Sequence, residues 1–301
     1  MKVTVETPGA CGELVQGQIK GINFHITCPV RLFSKVTASF SSLNYLNQKI
    51  NCFPPKPRAQ EAANKTFNLL NNGEKKRAIN LDFKSEIPDS KGMASSTADI
   101  TASCLAVAAL LKKPITHDQI AQIASTIEFT EGIMYKGIVC FDHVRGILIE
   151  KLGFPPPIKI LIVDPEECPG NFSFNQNKTA KILYQVNTEL VEEAYILVKE
   201  GIRQQNPELI GTGATLSALC NQIISYKPDL FKIVSLSRRM GALGVNVAHE
   251  GRVIGILLPP DFSRVARLQD EIKKLWGYNV RFYLTALWER GPIVKITSFD
   301  Y

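Results

Sequence analysis

Long apolar runs are missing from the 301 residues, and no segment is extended enough and free enough of interruption to span a bilayer. The N-terminal MKVTVETPG has neither the basic start nor the apolar stretch of a secretory signal, so a cytoplasmic protein without a membrane partner is expected. Histidine is scarce, with four residues, and there is no HxxxH pair, no Walker lysine motif and no dinucleotide GxGxxG. Zinc hydrolases, P-loop enzymes and Rossmann enzymes are disfavoured accordingly. His25 and His117 read as surface or packing residues, His249 as a turn residue, and His143, beside Asp142, as a candidate substrate contact.

CxxC is absent too. The seven cysteines, at positions 11, 28, 52, 104, 140, 168 and 220, are odd in number and far apart, which points to reduced, partly buried thiols in a cytosolic compartment. Cys11 sits in a glycine-rich turn with no histidine near it in sequence, and packing is preferred to nucleophilic chemistry there. The formal charge is +7, yet there is no arginine-rich tail and no basic block interleaved with aromatics. An anionic small molecule is a better partner for such a chain than nucleic acid.

What is present is the composition of a soluble globular protein, 45% hydrophobic and 21% charged. The length favours two packed domains. The run GFPPP at 153–157 is the candidate linker, dividing 1–155 from 156–301.

The stretch IPDSKGMASSTADITASCLAVAALL, residues 87–111, joins a proline, a glycine and a hydroxyl cluster to a small-residue helical run. Pro88 ends an extended segment, Gly92 permits a close turn, and Ser95, Ser96 or Thr97 is placed to cap the helix. Free amides and the peptide dipoles at such a start favour a phosphate, although an ordinary capped core helix has the same spacing. Asp99 stands three residues after Ser96, the spacing of a capping box. Ile100, Cys104, Val107 and Leu111 form an inward stripe.

Before it, a short strand at 3–6 ends at Pro8, and PGACGELVQG at 8–17 is a glycine-shaped turn in which Glu13 is a candidate substrate, metal or structural contact. Residues 22–40 read as strand or hairpin, 44–56 as a connection, 59–70 as a helix, 73–77 as an exposed basic turn and 78–86 as extended. After it, 116–131 reads as a helix delivering Glu128 and Glu131 to a turn, and the strand IVCF ends at Asp142. Two such carboxylates suit magnesium and phosphoryl transfer, or are a solvated helix end and a turn acid.

The second half reads as a strand at 158–164, then a polar loop at 165–178 able to approach substrate. Helices follow at 180–201, 207–226 and 230–240, then GALGVNVAHEG, a strand, a helix at 262–275 and two strands, an α+β arrangement.

Three motifs in order resemble the GHMP kinase family. Pro88, Gly92, Met93, Ser95, Ser96 and Thr97 are similar to its ATP phosphate loop, P-x-x-x-G-L-x-S-S-A, with Met93 and Thr97 in place of leucine and alanine. PGACGELVQG resembles the first motif of the L-threonine kinase branch, IEFTEGIMYKGIVCFDH the region between its metal-ligand glutamate and its aspartate strand, and GALGVNVAHEG the third, glycine-rich motif.

The resemblance implies an α+β GHMP kinase fold, with a ribosomal protein S5 domain 2-like N-terminal domain and a ferredoxin-like C-terminal domain. It implies ATP and Mg2+ as cofactors and L-threonine as the small-molecule acceptor, with homoserine kinase or a non-catalytic nucleotide-binding protein as alternatives, and it leaves a homodimer open. Pro88, Lys91, Gly92, Met93, Ala94, Ser95, Ser96 and Thr97 would bind ATP, with Ser96 and Glu128 on the metal and Glu131 as the substitute ligand. Lys91 and Asp142 would be catalytic, and Gly12, Glu13, Asp142, Gly241 and Gly244 would face the acceptor.

Overall fold

The computed structural model describes residues 1–41, 50–71, 78–165, 186–248, 251–276 and 279–297. The polar loop at 165–178 beyond Pro165, Cys168, the basic turn at 73–77, His249 and the start of the helix expected from 180 lie outside the described residues. The strands are β1 (Lys2–Ile19), β2 (Ile22–Phe40), β3 (Ile50–Phe53), β4 (Ile79–Ser85), β5 (Ile138–Asp142), β6 (Ile147–Gly153), β7 (Lys159–Pro165), β8 (Gly244–Val247), β9 (Ile254–Leu258), β10 (Val280–Ala286) and β11 (Ile293–Thr297). The helices are α1 (Pro57–Leu70), α2 (Ser95–Leu110), α3 (His117–Ser125), α4 (Thr188–Arg203), α5 (Pro207–Cys220), α6 (Leu230–Met240) and α7 (Val265–Trp276).

All eleven strands join one mixed sheet, ordered β10-β7-β9-β8-β1-β2-β4-β3, with β11 on β1 and the β5–β6 hairpin on β2. β1 is its organising strand. Pro8 does not end it, as the sequence suggests; pairing with β2 continues through register shifts at Pro8/Gly9, Ala10/Glu13 and Glu13/Val15. Bulges are how a strand accommodates a proline and re-aims its side chains. Gly12, at φ +55°, makes one of these turns, and a Cβ there would lie 2.4 Å from the Val247 carbonyl oxygen.

α2 is buried on nearly every face rather than along one stripe. It packs on β1 and β2 on one side and on α1 and α3 on the other, which its small, apolar sequence permits. Val3, Val5, Val36, Ala38, Ile79 and Leu81 of the sheet meet Ala59 and Phe67 of α1 and Ala102, Ala106 and Val107 of α2. Losing one such large side chain, Leu81→Ala for example, costs on the order of 2–5 kcal/mol. In the second half, α6 and α7 cover β7, β8 and β9 through Leu230, Ile233, Leu268 and Ile272.

Several element ends differ from the sequence reading. The expected helix at 116–131 stops at Ser125, its start fixed by a capping box between Thr116 and Gln119, and the chain turns before Glu128. The expected helix at 207–226 ends at Cys220 and tightens into a single 3-10 turn at Asn221–Ile223. Part of the expected connection at 44–56 is the strand β3, whose four residues are too few to show a period.

Candidate active site

α2 begins in an unusual way. Its N-cap is Ala94 in a left-handed conformation, with no side-chain cap, so the expectation that Ser95, Ser96 or Thr97 caps the helix is corrected. An alanine cap leaves the first-turn amides without a side-chain acceptor, and the helix dipole adds positive character there. The expected Ser96–Asp99 capping box is not formed. Asp99 instead accepts from the Ser34 hydroxyl at 2.5 Å and pairs with Lys56 Nζ at 3.1 Å. Burial raises the Asp99 carboxyl above its ordinary value, against the opposing effects of Ser34 and Lys56.

The hydroxyls that do not cap the helix reach Glu128. Ser96 Oγ donates to Glu128 Oε2 at 2.7 Å and Thr97 Oγ1 to Oε1 at 3.0 Å, while Arg58 Nη1 lies 2.8 Å from Oε2. A serine hydroxyl and a carboxylate at a helix start are hard oxygen donors, and such a pair fits Mg2+. The substitute ligand Glu131 turns the other way. It accepts from Thr27 at 2.9 Å and lies 3.5 Å from His25 Nδ1.

The other motifs close on the loop from two sides. Ala10 N donates to the Met93 carbonyl at 3.0 Å, which ties the first motif to the phosphate loop. At the end of the third motif a Cβ on Gly251 would lie 2.4 Å from the Lys91 carbonyl oxygen, and Arg252 N, the next residue, donates to that oxygen at 3.3 Å. Gly251 is therefore the glycine of this motif that faces the loop. Gly241 is the left-handed C-cap of α6, and Gly244 packs against the backbone of Gly211. Asn246 joins the first and third motifs by donating to the carbonyls of Cys11 and Glu13.

Lys91 Nζ is 3.0 Å from Asp164 Oδ1, and Asp164, at the end of β7, is 1% exposed. Asp142 serves its own hairpin: Oδ1 accepts from Val144 N at 3.0 Å and Arg145 N at 2.9 Å. On β2 its neighbour Phe141 pairs with His25, and Ala10, the loop's contact, pairs with Pro29. Four residues of strand, about 13 Å, separate those two points.

Glu13 and His25 are buried, and with Glu131 they bring three donor atoms within 4.8 Å of one another. His25 also stacks on His143 with ring centroids 3.7 Å apart. Burial would raise the Glu131 carboxyl, but the neighbouring His25, helped by Thr27, brings it below its ordinary value. Of the surface and packing readings of His25, burial excludes the surface and leaves packing, with Glu13 and Glu131 as charged neighbours. Cys11 fits the packing role, since burial and Glu13 push its thiol far up.

Sequence reasoning missed Lys56, Arg58, Asp164, Thr27 and Gly251. Four of them lie outside the motifs, and only folding brings them to the site; Gly251 carried a signal, as the last glycine of GALGVNVAHEG.

Residues 58–137 match the family model described as GHMP kinases N terminal domain. The chain is 30% identical over 296 residues to an L-threonine kinase of Salmonella typhimurium (strain LT2), covering 97% of this chain and 93% of that protein. It is 30% identical over 257 residues to an L-threonine kinase of Citrobacter freundii, covering 84% and 85%. A crystal structure of a homoserine kinase from Cytophaga hutchinsonii shares the fold, with a TM-score of 0.70 at 13% identity over 98% of this chain and 97% of that one. Kinship along nearly the whole chain, on a shared fold, makes this protein a member of the GHMP kinase family and a small-molecule kinase.

Proposed function

We propose that the protein transfers the γ-phosphoryl group of ATP to the hydroxyl of L-threonine, giving O-phospho-L-threonine and ADP for the aminopropanol linker of cobalamin, in the cytoplasm. The observation that carries this reading is the 30% identity to an L-threonine kinase over 97% of the chain.

In this proposal the segment from Pro88 to Thr97 wraps the ATP phosphates, presenting the uncapped amides of α2 to the negative charge. Ser96 and Glu128 hold Mg2+, which when bound neutralises charge on the phosphates. Lys91 is in this segment with its ammonium oriented by Asp164, so its charge is fixed in place before nucleotide arrives. Gly12 and Glu13, on the bulged part of β1, form the acceptor side together with the third motif. Asp142 is proposed to orient the acceptor through Oδ2, which faces Arg145 Nε at 3.8 Å, Oδ1 being committed to its turn. Alignment of the acceptor oxygen with the γ-phosphorus supplies the remainder of the rate.

The test is a panel of L-threonine, L-homoserine, L-serine, mevalonate and galactose with MgATP. L-Threonine is expected to give the highest kcat/KM. A clear preference for homoserine overturns the acceptor, and nucleotide binding without acceptor-dependent ADP release overturns the transferase reading.

A further inference from the structure

Arg58 is the second residue of α1, directly after Pro57 and two residues after Lys56. Lys56 Nζ lies 3.1 Å from Asp99 on α2 and 3.7 Å from Asp89 in the phosphate loop, which anchors the start of α1 at the nucleotide end of α2. Arg58 then reaches Glu128 Oε2, the oxygen that also accepts from Ser96. An arginine on an exposed carboxylate is ordinarily a weak surface pair. Here the Glu128 side chain is only 11% exposed, whereas that of Arg58 is 64% exposed. The carboxylate is largely buried and held by Ser96 and Thr97, whereas the Arg58 side chain is mostly in solvent.

We infer that Arg58 is a mobile phosphate-binding cation of the active site. It neutralises Glu128 in the nucleotide-free protein, and it moves onto the phosphate chain of ATP when a divalent cation occupies the Ser96–Glu128 site. The inference rests on the proposed use of that site for Mg2+. A divalent cation between Ser96 and Glu128 competes for Oε2, the oxygen that Ser96 and Arg58 share, and two positive groups on one oxygen repel each other. Lys91 is already engaged by buried Asp164; Arg58 is the cation whose partner is withdrawn by the binding event itself. Its planar fork matches two phosphate oxygens, and the anchored end of α1 keeps it within reach of the loop.

Binding measurements on wild type, Arg58→Ala and Glu128→Gln test this. In the absence of nucleotide, Arg58→Ala is expected to bind Mn2+, titrated as MnCl2 alone and followed by electron paramagnetic resonance, several-fold more tightly, because a competing cation is gone. The same variant is expected to bind the Mg2+ complex of a non-hydrolysable ATP analogue about tenfold more weakly. Opposite signs are the signature. Changes in the same direction, or no change in either, overturn the inference. Mn2+ binding that Glu128→Gln leaves intact overturns the metal reading and the inference with it. All arms read binding, so they hold whichever alcohol proves to be the acceptor.

Discussion

Ser96 and Glu128 are 32 residues apart in the chain, yet the serine hydroxyl donates to the carboxylate across 2.7 Å. Removing the hydroxyl by Ser96→Ala is expected to lower kcat/KM for MgATP by about 10- to 100-fold, and Glu128→Gln by more, with folding intact. Steady-state kinetics over a range of Mg2+ concentrations check this. Magnesium-dependent transfer that Ser96→Ala leaves unchanged removes Ser96 from the phosphate site.

The Lys91–Asp164 pair separates stability from chemistry. Lys91→Met leaves a nearly inaccessible carboxylate without its cation and is expected to cost about 2–3 kcal/mol. The double variant Lys91→Met/Asp164→Asn is expected to regain much of that stability and none of the activity. Denaturant titration and turnover measured side by side decide it; restored turnover in the double variant would deny Lys91 a catalytic role.

Gly12→Ala tests the seam between the first and third motifs. At φ +55° and with Val247 backbone atoms in the way, a methyl group there is expected to cost roughly 2–3 kcal/mol or prevent folding. A midpoint of unfolding equal to wild type would show that the bulge can relax.

Glu131 gives a pH dependence. Its carboxyl lies below the ordinary 4.5 in the folded state, burial being outweighed by His25 and Thr27. The folded state therefore binds the proton less readily than the unfolded chain, and the stabilisation is full above that value and lost as pH falls through the depressed one. Glu131→Gln is expected to flatten the acid limb of stability below pH 4.5, read by denaturant titration at successive pH values. An acid limb identical to wild type would show that the pairing adds nothing.

Asp142→Asn separates two roles for one side chain. An asparagine oxygen can still accept from Val144 and Arg145, so the hairpin is expected to stay within about 1 kcal/mol of wild type. Turnover is expected to fall with ATP affinity unchanged. Turnover equal to wild type assigns Asp142 to the hairpin alone.

Much of this site is legible in the chain because it is local. The glycine, hydroxyls and small apolar run of 87–111 bring the turn, the helix and its exposed start together within a few residues. The end of α3 and the true length of β1 were less legible. Glu128 reaches α2 only because the helix stops at Ser125, and β1 passes Pro8 only because β2 supplies pairing partners on both sides of the bulge. Neither neighbour is visible in a local window.

By itself, the sequence determined the α+β pattern, the order of three glycine-bearing motifs and the donor types at the phosphate loop, since each depends on residues close together in the chain. Only the tertiary structure decided which donors meet. It turned Glu128 toward Ser96 and Glu131 toward His25, gave Lys91 to Asp164, and set Gly251 rather than Gly241 or Gly244 against the loop. Those choices depend on strand register and helix packing between distant segments, where one shifted residue sends a side chain to the opposite face.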